Sequence, residues 1–167
     1  MTDPTLPPPG TPAPGTDPVH RLRVMAAAVR GAHVAEHVVQ APFEEVWPVM
    51  AALGFLPDFH RVRVVRADAD ADGGRFEALA RGRYGFRAHL RGFSRPGWCW
   101  LQSRFLIVGL AAAPAADPAA TRIALTGGVR VPTRAAVVPF ATRRELDEAA
   151  HRLAALVRAP AAPRPGE

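Results

Sequence analysis

The sequence predicts an α+β fold: a curved antiparallel sheet of six to seven strands wrapped around one long C-terminal helix, with two short helices after the first strand. Three observations carry that expectation. Between 33 and 66 an extended run is broken by Ala41-Pro42, followed by helical spacing, and then resumed. From 75 to 131 apolar residues alternate with polar ones in several runs separated by turn signals, the pattern of hairpin-connected strands. From about 142 to 158 the period changes to three and four.

Taken in order, Val34, Glu36 and Val38 lie on one face of the first strand and Ala35, His37 and Val39 on the other. Pro42 ends it, because proline gives the ladder no N–H and suits the first turn of a helix. Phe43, Val46, Trp47 and Met50 then recur at helical spacing, with Glu44 and Glu45 in the first turn, where negative charge is favoured. Gly54 and Pro57 end that helical region, a short aromatic helix is expected around Phe55, and Val62 and Val64 resume a period of two. The Asp68, Asp70, Asp72 run leads into Gly73-Gly74 and reads as an acidic hairpin turn. A calcium loop would need a glycine at its sixth position and a glutamate at its twelfth.

Further strands are expected over 75–81, 84–93, 98–106, 107–113 and 121–131, with Arg95-Pro96-Gly97 and the Pro-containing stretch 115–120 between them. Gly127-Gly128 suggests a bulge or a kink that lets the last strand coil around the helix. Leu146, Ala149, Ala150, Leu153, Leu156 and Val157 form the apolar stripe of a helix ended by Pro160. A curved sheet around so long a helix leaves a hollow between them, and that hollow is the expected site.

Length suits one domain, placed at residues 29–158. Residues 1–28, which hold seven of the 18 prolines before residue 19, are expected to be a disordered segment, and 159–167 a disordered tail. Val19 to Val29 is open to two other outcomes, an extension of the first strand or a short helix. Cys99 is the only cysteine, which excludes an intramolecular disulfide and fits a reducing compartment. With neither a secretion signal nor a run of 18 apolar residues, a cytoplasmic protein without integral membrane association is expected. All 21 basic residues are arginine, and the formal net charge is +6. Because the arginines are dispersed and alternate with apolar residues, they read as solvent-facing strand positions, and no nucleic-acid partner is expected.

The Ala-Pro-x-x-x-Val-Trp of Ala41 to Trp47, the Leu-Pro-x-Phe of Leu56 to Phe59, the Pro96-Gly97 turn before a Trp-bearing strand, Thr121-Arg122 and the terminal helix resemble the START-like, helix-grip (SRPBCC) superfamily, with the polyketide cyclase/dehydrase group nearest. The resemblance spans about residues 30–158. It implies a seven-stranded sheet gripping the last helix around a cavity for a hydrophobic or amphipathic small molecule, but no single activity.

Candidate ligand-binding residues are Trp47, Phe55 and Phe59 from the helical region, Phe86, Leu90, Trp98 and Trp100 from central strands, and Leu153 and Leu156 from the last helix. Each can equally be ordinary core. The titratable candidates are His60 as a general base, Tyr84 as a hydrogen-bond donor and Arg104 as an anion partner, against exposure or packing as the plain alternative. His89 is assigned to solvent by strand parity. His33 and His37 share a face but lack a third ligand, so no metal is expected, nor any cofactor. Three functions are compatible with these residues: a carrier of a polyketide-, lipid- or quinone-like molecule, an aromatase/cyclase acting on a poly-β-ketone, and an interaction module with a filled interior. The chain is expected to act as a monomer or homodimer.

Overall fold

Where the first strand stops at Ala41-Pro42, the chain turns into a helix whose entry is fixed from across the sheet: Thr121 Oγ1 donates to the Ala41 carbonyl over 2.8 Å. The computed structural model describes residues 17–56, 59–70, 73–82, 85, 87–129 and 141–159 and, within 59–70, the side chains of Val62 and Arg63. The elements run α1 (Pro18–Ala27), β1 (His33–Val39), α2 (Phe43–Ala51), β2 (Phe59–Asp70), β3 (Gly73–Gly82), β4 (Arg87–Arg95), β5 (Trp98–Gln102), β6 (Leu106–Pro114), β7 (Thr121–Val129) and α3 (Arg143–Arg158).

The seven strands form one antiparallel sheet in the order β1-β7-β6-β5-β4-β3-β2. Strands β2 to β7 follow one another as neighbours, while β1 pairs with β7, from His33 opposite Gly127 to Val39 opposite Thr121. β2 carries two register shifts, between Phe59 and Arg61 and between Val64 and Arg66, and such irregularities bend a strand. Gly127 and Gly128 pair in regular register, so the bulge expected there is absent. A Cβ at Gly128 would instead press on Val29 and Ala32, in the connection from α1 to β1.

α3 starts with a capping box: Glu145 N donates to Thr142 Oγ1, and Thr142 N donates back to the Glu145 carboxylate. Leu146, Ala149, Ala150 and Leu153 face inward and are buried. They join Val46, Met50, Leu53, Phe55 and the inner residues of the sheet in the main core. After α2 the described residues 53–56 form a turn with Leu53 at φ 59°, where a second short helix was expected. The turn buries Leu53, Phe55 and Leu56.

The largest correction concerns the N-terminal segment. Residues 1–28 were assigned to a disordered segment with a short helix left open for Val19 to Val29, and it is the helix that forms: residues 18–27 are α1, capped by Asp17 and started by Pro18. It packs against the outer face of β6 and β7, burying Val19, Leu22 and Ala26 in a second core with Trp98, Ala111, Ala113 and Ala124. Gly109 makes this seat possible, since a Cβ there would overlap Leu22, Trp100 and Thr126. Burial on both faces explains why β6 (LIVGLAAAP) is apolar almost throughout.

Candidate functional site

Strand parity sorts the sheet into two surfaces. Val62, Phe76, Ala78, Ala80, Ala88, Leu90, Cys99, Leu101, Val108, Leu110, Ile123 and Leu125 face inward, toward α2 and α3. α3 makes its main contacts with β1, β7 and α2. The inner face of β3 and β4, farther along the sheet, is furnished largely by the single methyl groups of Ala78, Ala80 and Ala88. This face, buried in the main core together with Leu90 and the inward residues of α3, is the candidate site.

The chemistry offered by this face is apolar. Among the described residues the buried polar side chains are Thr121 and Thr126, both engaged with backbone carbonyls, Ala41 and His33 respectively. Among the described side chains Cys99 is the titratable group on the inner face of β2–β5, while on β1 His37 shares the face of Ala35 and Val39 and reaches Asp147 of α3. Burial pushes the Cys99 thiol up to about 12, against a smaller lowering by a hydrogen bond with Ser94, so it is protonated at neutral pH. A thiol so placed is a small apolar group rather than a nucleophile. No group of three His, Cys, Asp or Glu side chains able to hold a metal occurs among the described residues.

The candidates from the sequence separate into distinct places. Phe55, Leu90 and Leu153 are buried in the main core. Trp47 is half-buried against that core and stacks on Phe43, with ring centroids 6.4 Å apart. Trp98 and Trp100 are corrected: they lie on the outer face of β5, under α1, while Cys99 and Leu101 take the inward positions. The sequence WCWLQ cannot reveal this by parity, because both faces of β5 are apolar. Arg21 from α1 sits over the Trp98 ring at 4.6 Å, and Trp98 Nε1 is buried with no hydrogen-bond partner among the described residues.

Leu156 is also corrected, being 45% exposed, because α3 turns its 156 position away from the sheet. Arg104 is exposed in the turn between β5 and β6, over the Phe105 ring, and lines an outer groove rather than the interior. Phe59 and His60 lie in the backbone of β2, but their side chains, like Tyr84 and Phe86 altogether, lie outside the described residues. His89 is on the outer face of β4, with Nε2 2.9 Å from Glu77 Oε2. His37, which the sequence considered only for metal, reaches Asp147 on α3.

This arrangement can be compared with solved structures. A Chromobacterium violaceum protein superposes with a TM-score of 0.55 at 19% identity, covering 77% of this chain and 99% of its own. A Caulobacter crescentus protein of 18 kDa gives 0.53 at 18% identity, over 75% and 92%. A START superfamily protein of Mycobacterium smegmatis gives 0.52 at 14% identity, over 75% and 96%. The chain has the START-like helix-grip fold. No family model and no curated protein matches its sequence. Likeness at this identity carries architecture and not activity. In front of the grip, α1 gives the sheet its second covered face. No helix of the described residues is long and apolar enough to cross a membrane.

Proposed function

We propose that this START-like domain binds a hydrophobic or amphipathic small molecule, of polyketide, lipid or quinone type, between the inner face of β2–β5 and α3. The observation that supports it most is the composition of that face: Val62, Phe76, Ala78, Ala80, Ala88, Leu90 and Leu101, with the Cys99 thiol as the titratable group among its described side chains. Apolar walls with very few polar groups suit a ligand held by surface burial, at roughly 25 cal/mol per Å2 removed from water. The aromatase/cyclase reading needs an acid or base on the inner wall of β2–β5, where the described titratable side chain is the protonated Cys99 thiol, and His37 on the inward face of β1 is engaged with Asp147 of α3. The carrier reading is therefore preferred.

A thermal-shift screen of aromatic polyketides, quinones, sterols and fatty acids tests it. One apolar class should raise the melting temperature in proportion to ligand concentration. Calorimetry of that ligand should show a negative heat-capacity change. If no class stabilises the protein, the binding reading fails and an interaction module with a filled interior takes its place.

A further inference from the structure

The arginines that look dispersed along the chain are collected by the fold. Arg75 and Arg81 on β3 and Arg87 and Arg91 on β4 all occupy the outward positions of neighbouring strands, and each is exposed. Residues an even number apart on a strand point the same way, so arginines six apart on β3 and four apart on β4 share one charged face. Elsewhere arginines are matched with acids: Arg23 with Glu36, Arg122 with Asp17, Arg152 with Glu148. On the outer face of β3 and β4 the acid among the described side chains is Glu77, which holds His89 at 2.9 Å and lies 3.8 Å from Arg91 Nε.

Two aromatics share this face. Phe93 on β4 stands directly opposite Trp100 on β5. Phe93 is 42% exposed, and Trp100, packed in part against the α1 cluster, is partly buried. Neighbouring the pair is an open groove of about 560 Å3, lined by His89, Arg91, Gly92, Gln102, Ser103 and Arg104. It forms because β5 ends at Gln102, opposite Arg91, so the first residues of β4 run on past it beside the 103–105 turn. Phe105 in that turn is 43% exposed.

We propose that the outer face of β3–β5 binds single-stranded nucleic acid, with Phe93 and Trp100 stacking bases and Arg91 and Arg104 holding the phosphodiester backbone along the groove. Sheet-borne aromatics flanked by cations suit splayed bases, which present a π-face to any ring and a phosphate at each step. The shape decides against an anionic bilayer. A membrane is engaged by several apolar side chains that protrude from loops or from one face of an amphipathic helix, whereas here the 103–105 turn offers Phe105 alone, and Phe93 and Trp100 lie within the sheet beside a concavity. Duplex disfavours itself because its bases are already stacked and out of reach of the two rings.

Fluorescence anisotropy of the full chain with labelled 12-mers of oligo-dT and oligo-U, a 12-bp duplex, and phosphatidylserine vesicles as competitor tests the assignment. The single strands should bind more tightly than the duplex. Their affinity should fall with salt, on a log–log slope of about −2 to −3 if three or four phosphates are neutralised. Phe93→Ala should weaken binding about 5- to 100-fold and Phe93→Tyr should restore it, a pair that separates stacking from charge. Because Phe93 is solvent-exposed, both variants should melt with the wild type. Joint Arg91→Ala and Arg104→Ala should flatten the salt slope. The proposal is overturned if single strands do not bind at physiological salt, if duplex binds as well and Phe93→Ala has no effect, or if vesicles displace the oligonucleotide. Each of these outcomes leaves the interior ligand site untouched, since the two surfaces lie on opposite faces of the sheet.

Discussion

His37 Nε2 lies 2.9 Å from Asp147 Oδ1, joining the edge strand β1 to the second turn of α3 across 110 residues of sequence. A carboxylate only accepts, so the ring proton sits on Nε2. The Asp147 carbonyl in turn accepts from His151 Nδ1 at 2.7 Å, and the two imidazoles meet edge to face at 5.8 Å. The helix that fills the grip is thus tied to the strand that closes it.

That tie should be weak energetically. Asp147 is well exposed and His37 about a third so, and pairs in such settings contribute about 0.2–1 kcal/mol. A double-mutant cycle of His37→Ala and Asp147→Ala, read by urea denaturation, should return a coupling in that range. A coupling near zero would mean that packing alone positions α3.

Leu22 is fully buried beneath α1. Leu22→Ala should cost about 2–5 kcal/mol, as deletion of a core leucine does. Removing residues 1–28 should lower the melting temperature by at least as much as Leu22→Ala. A truncated chain as stable as the whole would show that α1 contributes nothing to the sheet.

The three tryptophans report on different faces. An apolar quenching ligand in the interior should act on Trp47, which packs against the inner core, and spare Trp98 and Trp100. Emission from Trp47→Phe should therefore be insensitive to that ligand. Quenching that persists in this variant would move the ligand to the outer side.

Cys99 ties stability to alkaline pH. Its thiol is raised from 9.0 to about 12 in the folded chain, so folded and unfolded forms are both protonated below 9 and stability is fully present there. Between 9 and about 12 the unfolded chain ionises first, and stability is lost as the pH rises. Denaturation curves at pH 8 and 10 should show a steeper fall for wild type than for Cys99→Ala. The same slope in both proteins would mean that Cys99 is not buried as described. Folded protein at pH 8 should also resist iodoacetamide.

Much of the architecture is written in local sequence. Period two in 33–39 and 75–81, period three and four in 143–158, and the Ala41-Pro42 break all correspond to elements that form, because each element buries one stripe against the main core. The site was less legible. Parity assigns a face only when one face is polar, and it fails for WCWLQ and LIVGLAAAP, where α1 and the grip bury both sides. Those unbroken apolar runs were themselves the available sign that something covers the outer sheet. VHRLRVMAAAV left the covering helix undecided, as one outcome beside disorder or a strand extension, because its buried Val19, Leu22 and Ala26 are spaced among arginines in a stretch following seven prolines. The arginine face was hidden for a different reason: spacing in a chain does not show that β3 and β4 lie side by side.

Gly109 and the pairing of β1 with β7 also bear on the order of assembly. Helix α1 and strand β1 leave the ribosome first, but the surface that receives α1 is built from β5, β6 and β7, and the partner of β1 is the last strand. The hairpins from β2 to β7 can form by local closure as they appear. Helix α1 and strand β1 must wait, with Val19 and Leu22 uncovered, until nearly a hundred more residues have been translated. Of the described elements, the first two to be synthesised are among the last to be seated.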